Sequence, residues 1–371
     1  MRSWVHLLLL CVGSFSFTFN SSQYEDFEAV EVLTASGISF QERMTAHAEL
    51  SKPPKLILSW DGGRQWGANL GGCPDWHCQF TLNLSRADEA DVVLLSHGLS
   101  FVRRNSAQYL VYVAQESPKN SGASVLYKDY FNTSLGYRHD TPTSSPYGYT
   151  VKLAKERRLE DVVDIPRLKK KTIAAAWFVS HCKTPSKREE LVAALQKFIP
   201  VDVYGRCPGA ADCPHRGKCE NMLNTDYFFY MALENSVCTD YITEKVWNHG
   251  YGKDVVPIVL KRSIVDGRLP PHSFLAVDDY GTVEDMASHM HSLMKNASAY
   301  LEYFDWRRRY KTIFLNGAVH DDLEKPWGVC QACRLAWENP RKAHVIKDYF
   351  PWWFGSCEPD GQTVNRILSK K

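Results

Sequence analysis

The stretch DYFFYMALENSVCTDYITEKVW, residues 226–247, joins an apolar run to a polar turn. Its first part, YFFYMAL, is apolar throughout, which is typical of a strand buried on both faces of a parallel sheet. Polar residues follow, and TDYITEKVW predicts a helix capped by Thr239 or Asp240. The stretch therefore predicts one strand–helix unit of an α/β fold, with polar side chains at the carboxyl end of the strand.

Similar units lie on both sides of this stretch. TIAAAWFVSHC (172–182) and DVVPIVL (254–260) predict strands, whereas SKREELVAALQKFI (186–199) and TVEDMASHMHSLMKN (282–296) predict helices. Further apolar runs at 55–60, 90–98 and 109–117 predict buried strands in the first half of the chain. Two successive series of this kind indicate two doubly wound Rossmann-like domains that face a cleft.

These patterns divide the 371-residue chain into five segments. The expected segments are a short tail with a membrane anchor over 1–20, a stem over 21–54, a first Rossmann-like domain over 55–165, a second one over 166–325, and a cysteine-containing segment over 326–371. The stem assignment depends on the polar, acidic character of residues 20–54, which show no strong periodicity.

The N-terminus carries an apolar run from Trp4 to Phe19 after a single Arg. We expect a short cytosolic tail and a membrane anchor, because the apolar character continues as far as Phe19. A cleaved signal peptide, with Val12-Gly13-Ser14 as the small-residue site, is the alternative.

Cysteines and glycosylation sequons indicate an oxidising compartment. Apart from Cys11, the chain has ten cysteines, and Asn83, Asn132 and Asn296 are candidate N-glycosylation sites. The CQAC sequence has the spacing of a zinc knuckle, but no second C-x-x-C completes a four-ligand site, so disulfides are the preferred interpretation. The formal net charge of +2 does not indicate a nucleic-acid partner.

The opening stretch has the residue types of an anion site. A helix that starts after Asn235 would present free N–H groups, and Lys245 would add a full positive charge. Glu244 could accept hydrogen bonds from hydroxyl groups. A sugar linked to a nucleoside diphosphate needs this combination, although Glu244 and Lys245 could equally be an ordinary surface ion pair.

The sequence closely resembles the alpha-1,3-fucosyltransferases, glycosyltransferase family 10. The resemblance rests on residues 226–260 together with WFVSHC, VDVYGRC, SFLAVDDY, LEYFDWRRRY and CQAC, which follow the order of the family, and on ESPKN in the first half. It implies the GT-B architecture and transfer of fucose, with inversion, from GDP-fucose to O3 of N-acetylglucosamine. It also implies that no metal or other cofactor is required, in agreement with the absence of an Asp-x-Asp pair from the sequence.

The resemblance also assigns roles to individual residues. Glu116, in the Glu-Ser-Pro segment, corresponds to the catalytic base that an inverting transfer needs, and Asp140 or another carboxylate of the first domain is the alternative. The donor-binding residues that it implies are Arg188, Asn235, Tyr241, Glu244 and Lys245, with Lys187 as an alternative to Arg188. The family commonly joins its terminal C-x-x-C to two cysteines of the first domain, which here would pair Cys73 and Cys78 with Cys330 and Cys333 and would pack residues 326–371 back on that domain. The resemblance also makes residues 55–165 the acceptor domain and residues 166–325 the GDP-fucose-binding domain.

The expected partners are GDP-fucose, a glycan acceptor on a glycoprotein or glycolipid, and the membrane that holds the anchor. The resemblance implies a single-pass type II protein of the Golgi membrane with a lumenal catalytic domain. A protein O-fucosyltransferase of the same family is one alternative, and a lumenal lectin-like relative without catalysis is another.

Overall fold

The computed structural model describes residues 16–34, 36–60, 69–96, 101–121, 128–212 and 218–370. The strands are β1 (Phe17–Phe19), β2 (Phe27–Leu33), β3 (Lys55–Ser59), β4 (Cys78–Thr81), β5 (Val92–Leu95), β6 (Tyr109–Ala114), β7 (Thr133–Gly136), β8 (Gly148–Leu153), β9 (Ile173–Val179), β10 (Val201–Gly205), β11 (Tyr227–Met231), β12 (Val256–Val259), β13 (Leu275–Ala276) and β14 (Tyr310–Phe314).

Most helices are short. The α-helices are α1 (Phe40–Arg43), α2 (Leu159–Val162), α3 (Ile165–Leu168), α4 (Arg188–Leu195), α5 (Lys218–Thr225), α6 (Arg262–Val265), α7 (Val283–Lys295), α8 (Ala297–Glu302), α9 (Gly328–Ala336), α10 (Tyr349–Trp353) and α11 (Gln362–Leu368). A π-helix spans Lys245–Tyr251. The 3₁₀ segments are Pro74–Trp76, Leu84–Arg86, Val277–Asp279, Asp305–Arg308, Asp322–Glu324 and Phe354–Ser356.

The first parallel sheet has the strand order β4-β3-β5-β6-β7. The apolar runs at 55–60, 90–98 and 109–117 form β3, β5 and β6, as the sequence predicts. Helix α9 packs on one face of this sheet, and α10 packs on the other through Tyr349 and Trp353. Both faces are therefore covered, which is why these strands are almost entirely apolar.

The second parallel sheet has the order β10-β9-β11-β12-β13. The run YFFYMAL forms β11, which pairs with β9 on one side and β12 on the other, and all five residues of the strand are buried. In parallel strands the carboxyl ends share one edge of the sheet, so the polar residues after β11 lie at the edge where ligands bind. The chain is thus an α/β protein with two parallel sheets.

A third sheet, antiparallel with the order β1-β2-β8-β14, is not predicted by the sequence patterns. Residues expected in the stem form β2, which pairs with β8. Phe19, expected at the end of the anchor, is fully buried in strand β1. The expectations for these residues are therefore corrected: apolar side chains such as Phe19 and Ala29 pack into a core with Tyr149 and Trp327.

Among the described residues, no helix has both the length and the apolar character of a membrane span. Residues 1–15, which hold most of the expected anchor or signal peptide, lie outside the described residues.

The C-terminal segment differs in part from the expectation that it packs back on the first domain. Helices α9 and α10 do so, but α11 packs against α4, and Val364 and Ile367 lie in the core of the second sheet. The chain therefore crosses from one core to the other between Trp353 and Val364.

Candidate active site

The turn after β11 is organised by a buried carboxylate, that of Glu234. The side chain accepts hydrogen bonds from the Thr243 backbone N–H at 2.8 Å and from the Thr243 hydroxyl at 2.9 Å. The helix after the turn begins at Lys245, with Glu244 as its N-cap residue. The predicted start at Thr239 or Asp240 is therefore wrong. The Thr243 N–H, which a helix starting there would present to a ligand, donates to Glu234 instead.

Asp240 has a different role from the predicted cap. Its backbone has a φ of 64°, in the left-handed region, and its carboxylate accepts a hydrogen bond from the His139 N–H at 2.9 Å. The same carboxylate forms an ion pair with Arg268. The residue thereby links this turn to the first half of the chain.

Lys245 contacts two carboxylates and one hydroxyl. Its Nζ lies 3.1 Å from Glu234 Oε2 and 3.1 Å from Glu244 Oε1, and it donates to Thr243 Oγ1 at 2.8 Å. Burial acts to lower the pKa of Lys245, but the two carboxylates outweigh it, and the net direction is upward. The side chain is therefore a cation at neutral pH, held at the carboxyl edge of the second sheet.

Glu116 brings the two halves of the chain into contact. It follows β6 at the carboxyl edge of the first sheet and is exposed. Its Oε1 accepts hydrogen bonds from the Tyr241 hydroxyl at 2.7 Å, from Asn235 Nδ2 at 3.3 Å, and from the Ser117 N–H at 2.7 Å. Three predicted site residues, distant in sequence, thus meet at one carboxylate oxygen.

The phenol of Tyr241 is fixed as a hydrogen-bond donor. Burial, together with the charges of Glu234 and Glu116, raises the pKa of Tyr241 well above its usual value. Its ring packs edge-on against Tyr137 with the ring centroids 4.9 Å apart. Because Tyr241 lies in the core of the first half, it can orient Glu116 without moving itself.

Arg188 does not have the predicted position of a free cation facing a diphosphate. It is 3% exposed, and its guanidinium donates to the Leu233 carbonyl at 2.5 Å and to the His181 carbonyl at 3.3 Å. Burial lowers its pKa, and the Glu234 charge opposes this effect. Lys187, at the N-cap of α4, has a φ of 58°, and this turn directs Arg188 inward.

Some residues of the site were not predicted from the sequence. Glu234 is one of them, although its position directly after a buried strand places it at the edge of the sheet where ligands bind. Ser117 and Ser236 are others: their hydroxyls are hydrogen-bonded at 3.0 Å and join the Glu116 segment to the turn after β11. Neither serine carries a sequence signal, because the contact spans 119 residues.

Four disulfides connect described cysteines. Cys73–Cys330 and Cys78–Cys333 are the pairs that the resemblance implies, and they hold α9 against the first sheet. Cys238–Cys357 ties the turn after β11 to the C-terminal segment. The fourth is Cys182–Cys207, and Cys219 is also disulfide-bonded, whereas Cys213 lies outside the described residues.

The three candidate glycosylation sites differ in how their amides are used. Asn83 and Asn296 are exposed and act as N-caps, through side-chain oxygens that accept backbone N–H groups. Asn132 donates from Nδ2 to the His344 carbonyl at 2.8 Å and accepts from the Leu110 N–H. A glycan would replace one of the two Nδ2 hydrogens, so this partly buried amide is a less accessible site than Asn83 or Asn296, and the glycosylation state of Asn132 stays a prediction.

Within the part of the chain that the structure describes, no group of three or more His, Cys, Asp or Glu side chains is arranged to hold a metal ion. The expectation that no metal is required stays a prediction.

Comparison with known proteins identifies relatives along most of the chain. The profile of glycosyltransferase family 10 (fucosyltransferase), C-terminal, matches residues 168–352, and the profile of the fucosyltransferase N-terminal region matches residues 52–148. Alpha-(1,3)-fucosyltransferase fut-1 of Caenorhabditis elegans is 49% identical over 355 residues, which cover 95% of this chain and 81% of that relative.

A human relative and a solved structure are more distant. The 4-galactosyl-N-acetylglucosaminide 3-alpha-L-fucosyltransferase FUT5 of Homo sapiens is 31% identical, with 82% of this chain and 81% of that protein covered. A crystal structure of an alpha1,3-fucosyltransferase with GDP-fucose has a TM-score of 0.51 at 18% identity, covering 84% of this chain and 98% of that one. The last comparison supports the fold. The two family profiles and the relative at 49% identity show that the chain belongs to glycosyltransferase family 10, the fucosyltransferases.

Proposed function

We propose that this protein is an inverting alpha-1,3-fucosyltransferase that moves fucose from GDP-fucose to O3 of N-acetylglucosamine in a glycan. The observation that carries the proposal is the contact of Glu116 with Tyr241 and Asn235, at 2.7 and 3.3 Å. This contact joins the carboxyl edges of the two sheets, where an acceptor on one side can meet a donor on the other. The relatives named for this activity support the same conclusion.

Glu116 acts as the general base. All of its hydrogen bonds with described residues use Oε1, so Oε2 is left for the hydroxyl of an acceptor. A carboxylate positioned in this way takes the proton as the hydroxyl attacks the anomeric carbon, and the GDP leaves from the opposite face. Tyr241 and Asn235 hold the carboxylate in place by donating to its other oxygen.

Lys245 stabilises the leaving diphosphate. It is a cation at the carboxyl edge of the second sheet, and its contact with Glu244 can be exchanged for a phosphate oxygen because Glu244 is only partly buried. A fixed cation supplies the charge stabilisation that a metal provides in other transferases. Glu244, once released, can accept hydrogen bonds from the fucose hydroxyls.

The finer architecture and the location belong to the same proposal. The two parallel sheets, whose carboxyl edges meet at Glu116, suit the GT-B arrangement of two Rossmann-like domains. The disulfides and the exposed sequons at Asn83 and Asn296 favour a lumenal protein of the secretory pathway. We expect a Golgi membrane protein held by its N-terminal apolar segment.

Replacement of Glu116 by Gln tests the catalytic assignment. Gln keeps an oxygen for Tyr241 and Asn235 but cannot take a proton, so we expect fucose transfer to fall by roughly 10²–10⁴-fold. GDP affinity should stay near that of the wild type. The measurements are transfer of radiolabelled fucose to an N-acetyllactosamine acceptor and calorimetric titration with GDP; transfer by the wild type should persist in EDTA.

Asp140→Asn tests the alternative base in the first half of the chain. Its carboxylate is already engaged by Arg138 and by Trp352 Nε1, so this variant should retain transfer. Transfer by Glu116→Gln within a few-fold of the wild type would exclude Glu116 as the base. Loss of activity in EDTA would contradict metal-independent stabilisation of the leaving group.

A further inference from the structure

A cavity of about 270 Å³ lies at the carboxyl edge of the first sheet, outside the residues assigned above. Its wall combines the end of β6, the loop before β8, and the segment between β14 and α9. The side chains used below are Gln115, Tyr147, His320, Glu324 and Trp327. Drug-sized ligands occupy roughly 300–1,000 Å³, so this cavity suits a single sugar ring better than a nucleotide sugar.

The cavity lies beside the proposed base. Gln115 immediately precedes Glu116, and the Tyr147 hydroxyl donates to the Gln115 carbonyl at 2.9 Å. Burial raises the pKa of Tyr147, and the nearby charges of Glu244, Glu234 and Glu116 raise it further. Tyr147 and Gln115 therefore connect the wall of the cavity to Glu116.

Two features of the wall suit a carbohydrate. Tyr147 lines the cavity with a partly exposed ring, whereas Trp327, which also lines it, is fully buried and offers no ring face to a ligand. Glu324 pairs with His320, Oε2 to Nδ1 at 2.7 Å, and within the described chain no hydrogen bond reaches its Oε1. An aromatic ring beside an acceptor oxygen matches a sugar, which has an apolar C–H face and a rim of donor groups.

We infer that this cavity is the subsite for the N-acetylglucosamine of the acceptor, and that Glu324 accepts a hydrogen bond from one of its hydroxyl or acetamido N–H groups. His320 positions the Glu324 carboxylate by holding its other oxygen. The inference rests on the proposed function, and it assigns part of acceptor recognition to the segment between β14 and α9. The donor site, on the second sheet, does not share these side chains.

Glu324→Gln is the direct test. Gln replaces an ionised acceptor by a neutral group, and hydrogen bonds to charged groups are the stronger class, so KM for N-acetyllactosamine should rise by about 10-fold. GDP affinity and the slow hydrolysis of GDP-fucose without acceptor should not change. His320→Gln leaves the Glu324 charge in place and should raise the acceptor KM by a smaller factor.

The chain offers a matched control. Glu338 also pairs with a histidine, His344, at 2.9 Å, and it is partly buried but outside the cavity. Glu338→Gln should leave KM for both substrates unchanged, and thermal melting of all variants identifies any loss of folding. If Glu324→Gln melts early, His320→Gln provides the same comparison.

The outcomes separate this inference from the proposed function. Normal donor turnover with an unchanged acceptor KM in Glu324→Gln and His320→Gln would overturn the inference alone. The inference would also be overturned if both variants raised KM for GDP-fucose as much as KM for N-acetyllactosamine. Wild-type protein that neither binds GDP nor hydrolyses GDP-fucose would overturn the proposed function, and the inference with it.

Discussion

Replacing Lys245 by Met should weaken GDP binding and destabilise the fold in the same variant. A hydrogen bond to a charged group contributes about 1.5–3 kcal/mol. In the free protein Lys245 already contacts Glu244 at 3.1 Å, and this contact must be exchanged for the phosphate. A partly exposed ion pair such as Lys245–Glu244 contributes about 0.2–1 kcal/mol, and this amount is given up when the phosphate binds. The net loss of GDP binding free energy in the variant is therefore about 1.4 kcal/mol, which is a tenfold rise in Kd.

The loss of stability comes from Glu234. This carboxylate is 8% exposed, and Lys245 is the cation within 3.1 Å of it. Leaving a buried charge unpaired costs about 3–5 kcal/mol, so we expect a loss near 3 kcal/mol, because Lys245 is not fully buried.

The pH dependence has a definite sign. Burial raises the pKa of Glu234, and Lys245 opposes this effect, so the variant should have a still higher Glu234 pKa. A carboxyl group with a raised pKa binds more protons in the folded state, so stability falls as pH rises from about 4.5 through the folded pKa. The deficit of Lys245→Met should therefore be smaller at about pH 5 than at about pH 7.5.

Calorimetric titration with GDP and urea unfolding at the two pH values measure these effects. The double variant Lys245→Met with Glu234→Gln should recover much of the stability but not the GDP affinity. Lys55→Met, which breaks the 2.8 Å pair with Asp91 at the far end of the first sheet, is the control for loss of a lysine charge. Unchanged GDP affinity in Lys245→Met would refute the donor-site assignment, and a deficit that does not vary with pH would refute the role of Glu234.

Two other predictions concern covalent features. Cys330→Ser removes the disulfide to Cys73, but Cys78–Cys333 still closes nearly the same long loop, so the lost bridge closes only a ring of about ten residues. The loop-entropy model gives a loss of about 3 kcal/mol for a ring of this size, and urea unfolding of the variant at wild-type stability would contradict it. Glycosylation should occur at Asn83 and Asn296 and not at Asn132, because the Nδ2 of Asn132 is hydrogen-bonded within the fold. Glycopeptide mass spectrometry of the secreted protein checks this, and an occupied Asn132 would contradict the prediction.

The sequence predicts the parts of the fold that depend on local pattern. Buried strands such as β11 are recognisable because both faces are apolar, and the motif around Tyr241 and Lys245 locates the site at the end of that strand. The sequence also leads to Glu116, although only through resemblance to the family. Its contact with Tyr241 spans 125 residues and has no local signature.

Other features could not be predicted because they depend on distant partners. Arg188 is a plausible anion ligand in sequence, but the carbonyl that occupies its guanidinium belongs to Leu233, which lies 45 residues further on, after β11. Residues 27–33 do not alternate strictly, because a bulge between Ala29 and Glu31 interrupts the pairing of β2 with β8, and the strand therefore lacks a period-2 pattern in the sequence. Asn132 satisfies the sequon rule, whereas its amide is used by the backbone of residue 344.

The crossing of the C-terminal segment determines how far the protein can be shortened for biochemical work. The family profile ends at residue 352, which would suggest that the remaining residues are dispensable. Helix α11, however, buries Val364 and Ile367 in the second core, and apolar side chains of this size contribute about 1.5–3 kcal/mol each. A recombinant protein should therefore extend through Leu368, and an affinity tag should follow that residue through a flexible spacer.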